Sequence, residues 1–118
     1  MSNILVVDDE ESICWGIAKL CKELGYQCQI AASAEQGMEL ASRCTFDVVV
    51  MDVRLPGMDG LTAIESFRKL LVCSPIIIIT AFGDLQTAID AIQKGAFEYI
   101  VKPFELKKVA ATINQAIA

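Results

Sequence analysis

Two short runs, Val48-Val49-Val50-Met51 and Ile76-Ile77-Ile78-Ile79, restrict what this chain can become more than any other feature. Neither alternates apolar with polar residues, so neither reads as a strand with one wet face. Both read as strands buried on two sides, as in a parallel sheet covered by helices above and below. Each run hands over to a polar group at the rim of such a sheet, Asp52 in the first case and Thr80 in the second. After Asp52 comes a loop punctuated by Pro56, Gly57 and Gly60.

The rest of the chain alternates around these two runs. Asn3 to Val7 is a short apolar strand ending in Asp8-Asp9-Glu10-Glu11, and a helix follows with Ile13, Ile17, Leu20 and Leu24 on one face. Asp9 or Ser12 is its candidate start cap, and Gly25 ends it. A weaker strand spans Gln27 to Ala31, and Ser33 caps a second helix through Arg43, with Met38 and Ala41 facing in. Leu61, Ile64, Phe67 and Leu71 give the third helix its stripe; Leu85, Ile89 and Ile92 mark a fourth, stopped at Gly95. Phe97 to Val101 is a fifth strand closed by Lys102-Pro103, and the last helix carries Leu106, Val109, Ala110, Ile113 and Ile117. Five strands each followed by a helix predict an α/β protein with a doubly wound five-stranded parallel sheet.

Length and composition narrow the function. The 118 residues make one domain, 1–118, long enough for a core without staples. No apolar run approaches the roughly 20 residues that span a bilayer, and no cationic start followed by an apolar segment suggests export. The five cysteines contain no C-x-x-C pair and there is no His to complete a zinc set, so they read as reduced, mostly buried thiols of a cytoplasmic protein. Cys14 and Cys21 flank the apolar face of the first helix and are core positions. A net charge of −5 argues against direct nucleic acid binding by this domain.

In open parallel sheets ligands sit at the carboxyl ends of the strands. The residues there are Asp8 and Asp9, Asp52, Thr80 and Lys102. Three carboxylates at neighbouring strand ends repel one another and raise their own pKa values unless a cation lies between them. Hard oxygens without imidazole or thiolate point to Mg²⁺. A carboxylate beside Mg²⁺, with an ammonium and a hydroxyl ready for further oxygens, is what a phosphorylated aspartate requires.

The pieces VVDDE at 6 to 10, MDVRLPGMDG at 51 to 60, IIIITA at 76 to 81 and KPF at 102 to 104, in this order and at successive strand ends, resemble a two-component response regulator receiver domain along essentially the whole chain. The stretch from Ala81-Phe82-Gly83-Asp84 to Gly95-Ala96-Phe97-Glu98-Tyr99 is similar to receivers of the nitrogen-regulation type, which precede an ATPase and a DNA-binding region in sigma-54-dependent transcription activators. The resemblance implies a flavodoxin-like (βα)5 fold with strand order 2-1-3-4-5, the order of a chemotaxis receiver that is a standard example of this fold. It implies that Asp52 accepts a phosphoryl group from a sensor histidine kinase. Asp8, Asp9, Asp52 and the backbone carbonyl of Arg54 are then the Mg²⁺ ligands. Thr80 and Lys102 bind phosphoryl oxygens, Lys102-Pro103 is cis, and Thr80 with Tyr99 forms a switch that regulates an output domain outside this sequence. The expectation is therefore an excised N-terminal regulatory domain acting on transcription, with a stand-alone receiver acting by protein–protein interaction or in a phosphorelay as the alternative. Family members often form a homodimer through the fourth helix, fifth strand and fifth helix, where Ala88, Ala91 and Lys94 lie.

Arg54 and Phe82 stand two residues after Asp52 and Thr80, positions that in this family flank the path of the hydrolytic water. Two bulky side chains there predict a long-lived phosphoryl group. Trp15 falls opposite the apolar stripe of the first helix, beside Lys19 and Lys22, and is a candidate anchor for a phosphodonor protein. Asp47 and Asp59 read as loop or strand-start residues. An aspartyl phosphohydrolase expects a second Asp where Arg54 stands, and a flavin site expects small hydroxyl residues and Gly where the acidic cluster stands. Both alternatives are disfavoured. A third, an interaction domain that is never phosphorylated, is weakened because all five expected site residues are present.

Overall fold

The computed structural model describes residues 2–55, 58–71, 73–81 and 85–118. Five strands, β1 (Asn3–Val7), β2 (Gln27–Ala31), β3 (Val48–Asp52), β4 (Ile76–Ala81) and β5 (Glu98–Lys102), form one parallel sheet in the order β2-β1-β3-β4-β5. The five helices are α1 (Glu11–Glu23), α2 (Ala34–Arg43), α3 (Gly60–Leu70), α4 (Leu85–Gln93) and α5 (Leu106–Ile117). Arg54–Leu55 and Met58–Asp59 add a two-residue antiparallel ladder between β3 and α3. This is the doubly wound architecture expected from the strand pattern, with the strand order that the resemblance implies.

The unbroken apolar runs are explained by two separate cores. One face of the sheet sends Leu5, Val7, Val49, Met51, Ile76 and Ile78 against α2, α3 and α4, where Ala41, Ile64, Phe67 and Ala91 meet them. The other sends Ile4, Val6, Val48, Val50, Ile77 and Ile79 against α1 and α5, through Ile17, Cys21, Val109 and Ile113. Successive residues of a strand point to opposite faces, so both halves of each run are buried. The burial of Val48 to Asp52 is continuous, as is that of Ile76 to Thr80.

Helix ends follow the sequence signals with one change. Ser33 caps α2 by accepting the Gln36 N–H at 3.2 Å, while Gln36 Oε1 accepts the Ala32 N–H at 2.7 Å. Gly25 (φ 84) and Gly95 (φ 108) take the left-handed conformation that ends α1 and α4. The start of α1 is capped by neither Asp9 nor Ser12: Glu10 occupies the cap position with no side-chain cap bond.

Two helices, α1 and α4, are rotated from their predicted stripes, and α5 departs from its own only at Leu106. In α1 the deepest residues are Cys14, Ile17 and Cys21, with Ile13, Leu20 and Leu24 at the margin. In α4 Ala88 and Ala91 are buried, while Leu85 and Ile89 are exposed. Ala88 and Ala91, expected on a pairing surface, therefore face the core, because small residues let α4 lie close to the sheet. Leu106 is exposed, and α5 packs through Val109 and Ile113. Gly37 shows the same close approach on α2: a Cβ there would stand 2.9 Å from Val7 Cγ2 and 3.0 Å from Phe67 Cζ.

Candidate functional site at the carboxyl ends of the strands

Parallel pairing brings the ends of β1, β3, β4 and β5 to one rim. Val7 pairs with Met51, Asp52 with Ile79, and Ala81 with Lys102, so Asp8, Asp52, Thr80 and Lys102 cluster although they span 95 residues of sequence. Asp8 is 1% and Asp52 6% exposed. At that depth both carboxylates need partners.

Each finds one in the backbone that follows it. Asp8 Oδ1 accepts the Glu10 N–H and Asp52 Oδ1 accepts the Arg54 N–H, both at 2.9 Å. These turns leave the second oxygens directed at Lys102. Its Nζ lies 2.8 Å from Asp52 Oδ2, 2.9 Å from Glu10 Oε1 and 3.3 Å from Asp8 Oδ2. Asp8 Oδ2 is buried and makes no hydrogen bond.

The electrostatics follow from this crowding. Burial holds the Asp8 carboxyl above its ordinary pKa; the Glu10 amide opposes that, the Asp52 charge adds to it, and Lys102 works against it. For Lys102 burial pulls downward, but hydrogen bonds to Asp52 and Glu10 and the charges of Asp52 and Asp8 win, so the ammonium is held above its usual range. Cys14, whose thiol donates to the Asp8 carbonyl at 3.1 Å, is pushed up to about 11, chiefly by burial and then by the Asp8 charge. An un-ionised thiol at this rim is a poor nucleophile at neutral pH.

Among the described residues, carboxylate oxygens of Asp8, Glu10 and Asp52 lie within 4.8 Å of one another and form a group able to hold a metal ion. The orphaned Asp8 oxygen and the all-oxygen donor set fit a hard divalent cation. Asp9, expected beside Asp8, is exposed; Glu10 is exposed as well, but its carboxylate is the third within reach of Asp8 and Asp52. Sequence reasoning gave Glu10 no task, although the E of VVDDE was its only available signal.

The remaining expected residues are placed as follows. Thr80 is fully buried and its Oγ1 donates to the Ala81 carbonyl at 3.2 Å. Tyr99 is half-buried against the α2, α3 and α4 core and pairs with Ile78 in the sheet. Arg54 is exposed, and Phe82 lies outside the described residues. Lys102-Pro103 is a cis peptide. Trp15 is 67% exposed, with the Lys19 ammonium 5.3 Å from its ring. Asp47 accepts the Asn3 N–H at 2.7 Å and is structural.

Comparison with known proteins agrees with this geometry. A family model described as the response regulator receiver domain matches residues 4–114. The transcriptional regulatory protein ZraR of Escherichia coli (strain K12) is 35% identical over 116 residues, covering 98% of this chain and 26% of the relative. The DNA-binding transcriptional regulator NtrC of the same organism is 36% identical over 115 residues, covering 98% of this chain and 24% of the relative. The chain thus spans about a quarter of the length of these curated relatives. Among solved structures, a response regulator receiver domain protein from Clostridium thermocellum superposes with a TM-score of 0.93 at 34% identity, over 99% of this chain and 94% of that one. NtrX from Brucella abortus superposes with a TM-score of 0.93 at 29% identity, over 99% of this chain and 27% of that one.

Proposed function

Because the chain belongs to the response regulator receiver domain family, whose members are phosphoacceptor signalling modules and not catalytic enzymes, we propose that Asp52 is the residue that takes the phosphoryl group. The donor is a phosphohistidine of a sensor histidine kinase. The observation that carries the reading is the Asp52 carboxylate itself: buried at the end of β3, it has one oxygen on the Arg54 amide and the other on the Lys102 ammonium.

These contacts suit an in-line displacement. Asp52 attacks phosphorus, a new P–O bond forms as the P–N bond to the donor imidazole breaks, and the imidazole, already protonated on its other ring nitrogen, leaves as the neutral ring. The Arg54 amide orients the attacking carboxylate. Lys102 stands ready to neutralise charge on the transferred oxygens, and Thr80 supplies a hydroxyl to the same group. Asp8, Asp9, Asp52 and the Arg54 carbonyl would hold Mg²⁺, which supplies further charge neutralisation when bound; Glu10 lies in the same carboxylate group. Recruitment of Thr80 by the new dianion vacates space for the Tyr99 ring, and that exchange is the proposed switch.

The switch would act on an output segment outside this sequence. Regulation of transcription in the cytoplasm is the proposed outcome, supported by curated relatives named as transcriptional regulators. Pairing of two copies through α4, β5 and α5 is part of the proposal, with exposed Leu85 and Ile89 of α4 supplying apolar area. Exposed Trp15 is the proposed anchor for the phosphodonor protein.

Incubation with acetyl phosphate and Mg²⁺ followed by intact mass measurement tests the central claim. One phosphate is expected on the wild type and none on Asp52→Asn; addition to both would move the acceptor elsewhere.

A further inference from the structure

Glu10 has no task in the phosphoryl transfer just described, yet its contact with Lys102, 2.9 Å, is nearly as short as that of Asp52, 2.8 Å. An ammonium has three hydrogens, and three carboxylates surround this one. Two of the three are held in place: Asp8 and Asp52 are buried at strand ends and each is tied to a backbone amide. Glu10 is different, with its side chain 55% exposed at the outer rim.

Its local structure leaves the carboxylate free for this contact. Glu10 is the cap residue of α1, with φ −89 and ψ 111, a position where the short side chains of Ser, Thr, Asp and Asn accept an amide of the first helical turn. Glu10 makes no such bond. Its carboxylate reaches across to the end of β5 instead.

Resting on the reading of Asp52 as phosphoacceptor, we propose that Glu10 is a positioning residue that competes with phosphoryl oxygens for Lys102. In the resting protein it draws the ammonium toward the rim. When a phosphoryl group arrives at Asp52, Glu10 gives up Lys102, which turns its donors to the new oxygens. The exchange costs one ion pair, so Glu10 slows phosphorylation and the strength of that pair sets by how much.

Three substitutions separate this contact from simple charge repulsion. Glu10→Ala removes carboxylate and contact without removing a helix cap bond. Glu10→Asp keeps the charge but is one methylene shorter and, as a preferred cap residue, takes a first-turn amide in place of Lys102. Glu10→Gln keeps the reach and loses the charge. The first readout is the ¹H–¹⁵N signal of the Lys102 ammonium, identified by its absence in Lys102→Met and recorded with no phosphodonor present. The second is the rate of phosphate addition from acetyl phosphate with saturating Mg²⁺.

The signal is expected to shift in Glu10→Ala and Glu10→Asp. Both should be phosphorylated about two- to fivefold faster than wild type, the span a partly exposed ion pair supports, with Glu10→Gln in between. An unmoved Lys102 signal, unchanged rates, or a Glu10→Asp variant that matches wild type while Glu10→Ala and Glu10→Gln both accelerate would overturn the proposal. In the last case net charge alone is responsible. Failure of the phosphoacceptor reading is distinguishable, because it shows as no phosphate on the wild type whatever the Lys102 signal does.

Discussion

The Lys102 ammonium meets the Asp52 carboxylate at 2.8 Å although β5 and β3, which carry them, are separated in the sheet by β4. Only a long side chain spans that interval. With Asp8 and Glu10 also within 3.3 Å, one cation serves three anions, and much of the site's behaviour follows from that imbalance.

Removing the cation exposes the imbalance directly. Lys102→Met leaves Asp8 and Asp52 buried with only their amide partners, and is expected to lower stability by about 1–3 kcal/mol at neutral pH. Urea unfolding would measure this, and added Mg²⁺ should return part of the loss. An unchanged midpoint would mean that the carboxylates are better solvated than their burial implies.

Asp8→Asn should act in the opposite direction. The unfolded group titrates near 3.8 and the folded one higher. Within that window the native state binds a proton that the unfolded chain has released, so the contribution of Asp8 to stability falls as pH rises and is least at neutral pH. The amide that replaces the carboxylate is neutral, and its oxygen can still accept the Glu10 N–H. The variant is therefore expected to be more stable than wild type at pH 7 by over about 0.5 kcal/mol, beyond the usual scatter of neutral substitutions. The difference should shrink as pH is lowered toward 3.8. A gap that stays constant with pH would show that Asp8 ionisation is not its source.

Gly37→Ala tests the close seating of α2. The added methyl would lie 2.9 Å from Val7 Cγ2 and 3.0 Å from Phe67 Cζ. Overpacking of this kind costs about 1–3 kcal/mol, against a gain of about 1 kcal/mol in helix propensity. A net loss of up to about 2 kcal/mol is expected in chemical denaturation. A more stable variant would show that α2 can lift from the sheet without penalty.

Arg54 bears on the lifetime of the proposed phosphoaspartate. It is exposed, two residues after the carboxylate whose oxygen its own amide holds. If its side chain shields the path of the hydrolytic water, Arg54→Ala should lose phosphate a few-fold faster after donor removal, followed by intact mass over time. Equal decay in the two proteins would remove Arg54 from that role.

The sequence by itself determined the architecture and most of the site. Runs such as Ile76 to Ile79, with no polar alternation, can be satisfied only by burial on both faces, and parallel strands require crossovers, so the layered α/β form was legible without coordinates. Asp8, Asp52, Thr80 and Lys102 were legible because polar groups at the ends of such strands arrive at one rim. Tertiary structure decided what depends on distance and rotation. It turned Ala88 and Ala91 of α4 to the sheet and left Leu85 and Ile89 exposed, because a helix with small residues on one side approaches more closely than one resting on Leu or Ile. It also decided which acid of Asp8-Asp9-Glu10-Glu11 joins Lys102. Neighbouring residues in a turn point in directions set by their backbone angles, and the chain that carries Asp9 outward returns Glu10 to the ammonium.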